Sequence, residues 1–177
     1  MPGAVFQSDG RVALHTVEED DLDAFARAHS DPDLRRPLGI ETPANRDAIE
    51  EFFEETISSD DSVWFVVVAD DELRGSVTFT EVHETDGVGD LSYWILPEHQ
   101  GEGYGHDAVA LLLEYGFDEL RLHRVRADCY ASNDGSRGLL ESLGFTQEGR
   151  FREAAFLDGT YEDVLRYGLL ADEWEGA

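Results

Sequence analysis

Gln100-Gly101-Glu102-Gly103-Tyr104-Gly105 stands between an apolar run of strand type and an apolar-periodic run of helix type. A junction of that kind is suited to holding phosphate. Glycines let the chain turn tightly enough for successive N–H groups to face one anion, and the first turn of the helix adds unsatisfied donors and the positive end of its dipole. Two common phosphate loops do not fit. A Walker loop needs Gly-Lys-Ser/Thr at the helix start, and the chain contains no lysine. A dinucleotide fingerprint needs G-x-G-x-x-G with an acid about 20 residues on. Here position 106 is His, and the residues near that offset are Arg121, Leu122, His123 and Arg124.

The elements that must position this loop are readable on both sides of it. Gly89 to Leu96 reads as a strand and His106 to Leu120 as a helix, with Val109, Leu112, Leu113 and Phe117 on one face. Upstream, Arg11 to Val17 reads as a first strand. The acidic run from Glu18 to Asp21 opens a helix that continues to about Ser30, with Pro32 as its stop. A loop with Pro37, Gly39 and Pro43 leads to a second helix, Arg46 to Ser58. Val63 to Ala69 and Gly75 to His83 then read as an antiparallel pair joined at Asp70-Asp71, and Glu84 to Gly87 forms the next turn. Downstream come a fifth strand at Arg124 to Tyr130 and a short helix at Gly135 to Leu143, with Gly144 as its C-terminal cap. Thr146 to Phe156 and Tyr161 to Leu170 form a final hairpin around Asp158-Gly159. The expected architecture is one α/β (α+β) domain over residues 1–177, a mixed central sheet of about seven strands with helices on both faces.

Q-x-x-G-x-G following Pro97 resembles the pyrophosphate loop of the GNAT superfamily of acyl-CoA-dependent N-acyltransferases. The flanks agree in order with one branch, the ribosomal-protein, RimJ/RimL-like N-acetyltransferases. They are Tyr93-Trp94-Ile95-Leu96-Pro97-Glu98, Leu122-His123-Arg124-Val125, Asn133-Asp134-Gly135-Ser136, Leu143-Gly144-Phe145 and Asp158-Gly159-Thr160-Tyr161-Glu162-Asp163. This resemblance runs from about Gly89 to Trp174; the first half of the chain matches only in the order of its elements.

The resemblance implies a GNAT fold in which strands four and five splay apart and the pantetheine of acetyl-CoA lies in the gap like an added strand. Its backbone partner would be Trp94, Ile95 and Leu96, one of whose amides would also face the developing oxyanion. Its pyrophosphate would sit on Gln100, Gly101, Glu102, Gly103, Tyr104, Gly105 and His106. Asn133 and Ser136 form the branch's N-x-x-S signature, Asn toward the pantetheine and Ser toward the sulfur as general acid; the same residues also suit plain helix capping. The implied reaction is direct attack of a primary amine on the thioester in a ternary complex. A protein N-terminal α-amine is the acceptor the branch suggests. A small-molecule amine (amino acid, polyamine or antibiotic) and a non-catalytic acyl-CoA-binding sensor are the alternatives.

An α-ammonium has a pKa near about 8 and a lysine ammonium near about 10.4, so either acceptor benefits from a base, directly or through water. By resemblance the base is often an acid on strand six, which related sequences place differently: Glu153 is the candidate there, with Asp90, Glu81 and His83 as others, and aligning on the Asp158-Gly159 turn puts Ala155 at one such position. Tyr93 and Trp94 read as sheet packing or cleft lining. Cys129 reads as a small buried hydrophobe, and one cysteine forms neither an intramolecular disulfide nor a cysteine zinc site. The six histidines lack metal spacing such as H-E-x-x-H, so no metal is assigned.

Composition narrows the partners. Forty acidic residues oppose thirteen arginines, a formal charge of −27. Nucleic acid and anionic membranes need clustered cations, and the only basic cluster is Arg121, Arg124 and Arg126. A hydrophobic content of 41% argues for a folded domain with an acidic surface rather than a disordered acidic chain. Self-repulsion on this scale is screened in molar salt, where the Debye length is about 3 Å, so the expected setting is a salt-rich cytoplasm. Met1 to Gly10 has no signal-peptide pattern. Relatives of this type occur as monomers or homodimers, and no apolar patch in the sequence selects between them.

Overall fold

The computed structural model describes residues 3–83 and 85–176. Eight strands form one sheet: β1 (Val5–Ser8), β2 (Ala13–Thr16), β3 (Val63–Ala69), β4 (Glu72–His83), β5 (Val88–Ile95), β6 (Arg124–Tyr130), β7 (Thr146–Leu157) and β8 (Thr160–Leu170). Their spatial order is β1-β2-β3-β4-β5-β6-β8-β7. Every neighbouring pair is antiparallel except β5 and β6, which run parallel. The eighth strand is β1, four residues with exposed Val5 and Phe6.

The helices are α1 (Leu22–Ser30), α2 (Pro32–Arg35), α3 (Arg46–Phe52), α4 (Tyr104–Asp118) and α5 (Asp134–Ser142). Pro32 ends α1 as expected but also opens α2, at the first helical position where its missing N–H costs nothing. Asp31 caps that turn by accepting from the Asp33 N–H at 3.0 Å. The second expected helix begins under an Asn45 cap and its last turn, Phe53–Ile57, widens to π geometry. The expected turn at Glu84 to Gly87 begins at a residue outside those described. At the hairpin tip Asp158 and Gly159 both take positive φ, 50° and 85°, as a two-residue loop between β7 and β8 requires.

Strand alternation divides the core. On β3, Phe65, Val67 and Ala69 face the cluster formed with α4 and α5, while Val66 and Val68 face the cluster formed with α1 and α3. Trp94 joins the second cluster and Leu91 the first, so β5 is anchored on both faces. Among the described residues no helix is long and apolar enough to cross a membrane.

Candidate active site

β5 and β6 pair only at Val88↔Arg124, Gly89↔Val125 and Asp90↔Arg126. Beyond Asp90 they diverge, because β5 stays paired to β4 through Ile95 and β6 to β8 through Tyr130. The gap opens into a cavity of about 550 Å³, walled by Tyr93 and Ile95 of β5, Cys129 of β6, the Gly101–His106 loop, Ser136 of α5 and the Leu34–Leu38 segment.

The backbone of β5 offers an open edge here. The Leu96 N–H donates to the Arg74 carbonyl at 2.8 Å. By strand alternation the Trp94 amide also turns to β4, and those of Tyr93 and Ile95 turn to the gap. Gln100 Nε2 donates to the Ile95 carbonyl at 2.9 Å, which ties the loop to the strand that feeds it and leaves the Ile95 N–H available. Of the three backbone positions expected from the sequence, Ile95 is therefore the one whose amide faces the cavity.

Gly101 and Gly103 have φ of 78° and 89°, the left-handed region that a Cβ disfavours, and Gly103 caps α4. α4 thus begins two residues earlier than the sequence suggests. A Cβ on Gly105 would lie 3.1 Å from Leu139 Cδ1 and 3.4 Å from Ile95 Cγ1, so glycine keeps the helix start against the cavity wall. Gln100, Gly101, Gly103, Tyr104, Gly105 and His106 all line the cavity; Glu102 does not, and its carbonyl accepts from Arg11. Arg11, on the turn before β2, also pairs with Asp107 and lies 4.9 Å from the Tyr104 ring centroid, which fixes the loop from outside.

On the opposite wall, Asn133 Oδ1 accepts from the Ser136 N–H at 3.0 Å, so the capping role of Asn133 is realised. Ser136 Oγ lies 2.7 Å from the Tyr93 hydroxyl. Burial pushes the Tyr93 phenol up to about 12, with its bond to Ser136 acting in the other direction. Burial also pushes the Cys129 thiol up, leaving it protonated rather than nucleophilic.

A second cavity of about 310 Å³ shares Leu91, Ser92, Ala127 and Asp128 with the first. The two meet where β5 and β6 part. Asp90 and Asp128 line the smaller one, each bonded by an arginine through Nε and Nη2: Arg126 on Asp90, and Arg166 on Asp128 at 2.8 and 2.7 Å. Asp128 had no signal in the sequence beyond being one of forty acids.

The base candidates separate in space. Glu81, His83 and Asp90 gather at the β4–β5 end, their donor atoms within 4.8 Å of one another. Of these Asp90 reaches the smaller cavity. Glu153 lies at an irregularity of β7 with φ 50°, exposed, its N–H donating to Asp163 Oδ1 at 2.8 Å; it lines neither cavity.

An open β-strand edge, a left-handed glycine turn and a helix N-terminus in one continuous cavity fit an extended chain ending in phosphate. The family model described as an acetyltransferase (GNAT) domain matches residues 11–146. The chain belongs to the GNAT family. An uncharacterized N-acetyltransferase p20 of Bacillus licheniformis is 30% identical over 172 residues, 94% of this chain and 96% of that protein. A putative ribosomal N-acetyltransferase, YdaF, of Bacillus subtilis (strain 168) is 34% identical over 107 residues, 60% of this chain and 58% of that one. Among solved structures, spermidine N-acetyltransferase from Vibrio cholerae in complex with CoA and spermine superposes with a TM-score of 0.87 at 27% identity, covering 93% of this chain and 98% of that one. As a GNAT N-acetyltransferase, this protein uses acetyl-CoA as its acyl donor and an amine as acceptor.

Proposed function

We propose that this enzyme acetylates the α-amino group of a protein N-terminus, in a ternary complex with acetyl-CoA. The observation that carries the reading is the meeting of the two cavities at the parting of β5 and β6, with the open β5 edge on one side and the Asp128 carboxylate on the other. When bound, acetyl-CoA supplies an activated thioester carbonyl, to which the amine nitrogen adds as the carbon–sulfur bond breaks.

The protein residues divide the remaining work. The Ile95 N–H is placed to donate to the carbonyl oxygen as charge develops there. Asp128 holds the amine at the junction and takes up its departing proton, directly or through water. The Tyr93 and Ser136 hydroxyls, joined at 2.7 Å, stand where the departing sulfur needs a proton. Gly101, Gly103 and the start of α4 hold the pyrophosphate, and Asn133 fixes Ser136 from behind. This arrangement gives Glu153 no part in proton transfer.

The RimJ/RimL-like motif order and the relative named as a ribosomal N-acetyltransferase support the N-terminal acceptor. Near full-length likeness to the Vibrio cholerae enzyme favours a second reading, a polyamine acceptor. The deciding experiment measures CoA release with Ser- and Ala-initiated peptides beside spermidine. Turnover confined to spermidine would refute the N-terminal reading. The charge of −27, carried without lysine, supports a salt-rich cytoplasm as the enzyme's setting.

A further inference from the structure

The smaller cavity has a polarity that the acetyl-transfer reaction does not require. Asp128 is at its junction with the cofactor cavity. Beyond it stand two guanidiniums, Arg126 and Arg166, a second carboxylate, Asp90, and the hydroxyl-bearing Thr80 and Ser92. In a chain with thirteen cations against forty acids, a cavity of about 310 Å³ whose two carboxylates, Asp90 and Asp128, are each matched by an arginine is charge-balanced within an acidic surface.

Both arginines are held for use. Each commits Nε and Nη2 to its aspartate, and the Nη1 of each has no partner among the described residues. Arg166 is further fixed by lying 5.2 Å from the Phe151 ring centroid. A guanidinium locked along one edge loses little freedom when its remaining N–H groups meet an anion, and such charge-assisted bonds are strong and directional. A second ammonium in this space would instead find both carboxylates, Asp90 and Asp128, already paired with arginine.

We propose that the smaller cavity is an acceptor subsite that reads an anionic group close to the reacting amine: Asp128 takes the amine, and Arg126 and Arg166 take a carboxylate. This rests on the acetyltransferase reading above and deepens it. Two sources share that chemistry, a protein N-terminus with Asp or Glu among its first residues and a free α-amino acid. A linear polyamine has the opposite charge pattern.

The test measures CoA release at a KCl concentration that keeps the protein folded, with four acceptors at matched concentration. These are a Ser-Glu-initiated peptide, the same peptide with Gln for Glu, free glutamate, and spermidine. Calorimetric binding of CoA is measured separately. The expected result is a kcat/KM at least tenfold higher for the acidic peptide than for its Gln counterpart, or turnover of glutamate, with spermidine poorest. The peptide result identifies the protein source and the glutamate result the free amino acid. In Arg126→Gln and Arg166→Gln the acidic-over-neutral ratio should fall at least fivefold.

The wild-type panel decides the matter even if a variant misfolds. Equal rates for the acidic and neutral peptides with no turnover of glutamate, a preference for spermidine, or no turnover of any acceptor by protein that binds CoA, would each overturn the subsite. Failure of folded protein to bind CoA would instead remove the acetyltransferase reading beneath it.

Discussion

The hydroxyls of Tyr93 and Ser136 lie 2.7 Å apart, one carried by β5 and the other by the first turn of α5. The bond joins the two walls of the cofactor cavity at the level where β5 has lost β6 as a partner. On the proposed reading it makes the two hydroxyls one proton-donating unit. Tyr93→Phe and Ser136→Ala should each lower kcat by about 10²- to 10⁴-fold, the usual range for a general acid, because either loss breaks the unit. The double variant should lose less than the product of the two. Because burial raises the Tyr93 phenol to about 12, the proton-donating form persists across the working range, and Tyr93 should add no basic limb to the pH–rate profile below about pH 10. A full multiplicative loss in the double variant would show that the hydroxyls act separately.

Gly103 caps α4 at φ 89°, and a Cβ there would lie 3.1 Å from Arg11 Nη1. An L-residue in that conformation costs about 1–2 kcal/mol, and relaxing it would swing the amides of the loop off the anion. Gly103→Ala should therefore weaken CoA binding at least tenfold by titration calorimetry while lowering the melting temperature by a few degrees. Unchanged affinity in the folded variant would remove this loop from the cofactor site.

Arg27 on α1 holds Glu98 through two bonds of 2.6 and 2.8 Å, just ahead of the cofactor loop. Those bonds draw the Glu98 carboxyl down to about 2. The folded value lies below the ordinary one, so this pair's stabilisation is present above about pH 4.5 and is lost as pH falls through about 2. The melting-temperature difference between wild type and Glu98→Gln should be greatest at neutral pH and shrink across that window. A difference independent of pH would mean that the substitution acts through packing rather than charge.

The net charge of −27 makes the folded state a dense set of like charges. Raising KCl from 0.1 to 2 M shortens the Debye length from about 10 Å to below 3 Å. Thermal melts should shift upward across that range. Equal stability at both ends would dissociate the acidic surface from a high-salt setting.

The cofactor half of the site was legible because its determinants are local. Strand, glycine turn and helix follow one another within residues 89–120, and each glycine answers a backbone need at its own position. β1 was not legible, since four residues with exposed Val5 and Phe6 carry no buried alternation. The loss of pairing beyond Asp90 depends on β8 pairing with β6 from 34 to 46 residues away in sequence, and the resemblance to the GNAT fold, not periodicity, supplied it. The acceptor side was least legible. Asp128, Arg126 and Arg166 become a group only when β6 and β8 pair, and composition made every carboxylate look like surface charge. Glu153 drew notice by motif position, but the irregularity in β7 gives it a φ of 50° on an exposed edge.

That contrast between two carboxylates gives the sharpest test. Asp128 lines both cavities, and Glu153 lines neither. If the amine is held and relieved of its proton at the junction, Asp128→Asn should reduce kcat/KM by about 10²- to 10⁴-fold, the usual range for a general base, for acidic and neutral acceptors alike. Glu153→Gln should stay within about twofold. Losing the carboxylate also leaves Arg166 without its bidentate partner, so the Asn variant's folding must be checked by circular dichroism. Asp128→Glu supplies the control, restoring the charge one methylene out of place and recovering part of the rate. Loss of activity in Glu153→Gln with retention in Asp128→Asn would move the amine out of the junction and onto the β7–β8 hairpin.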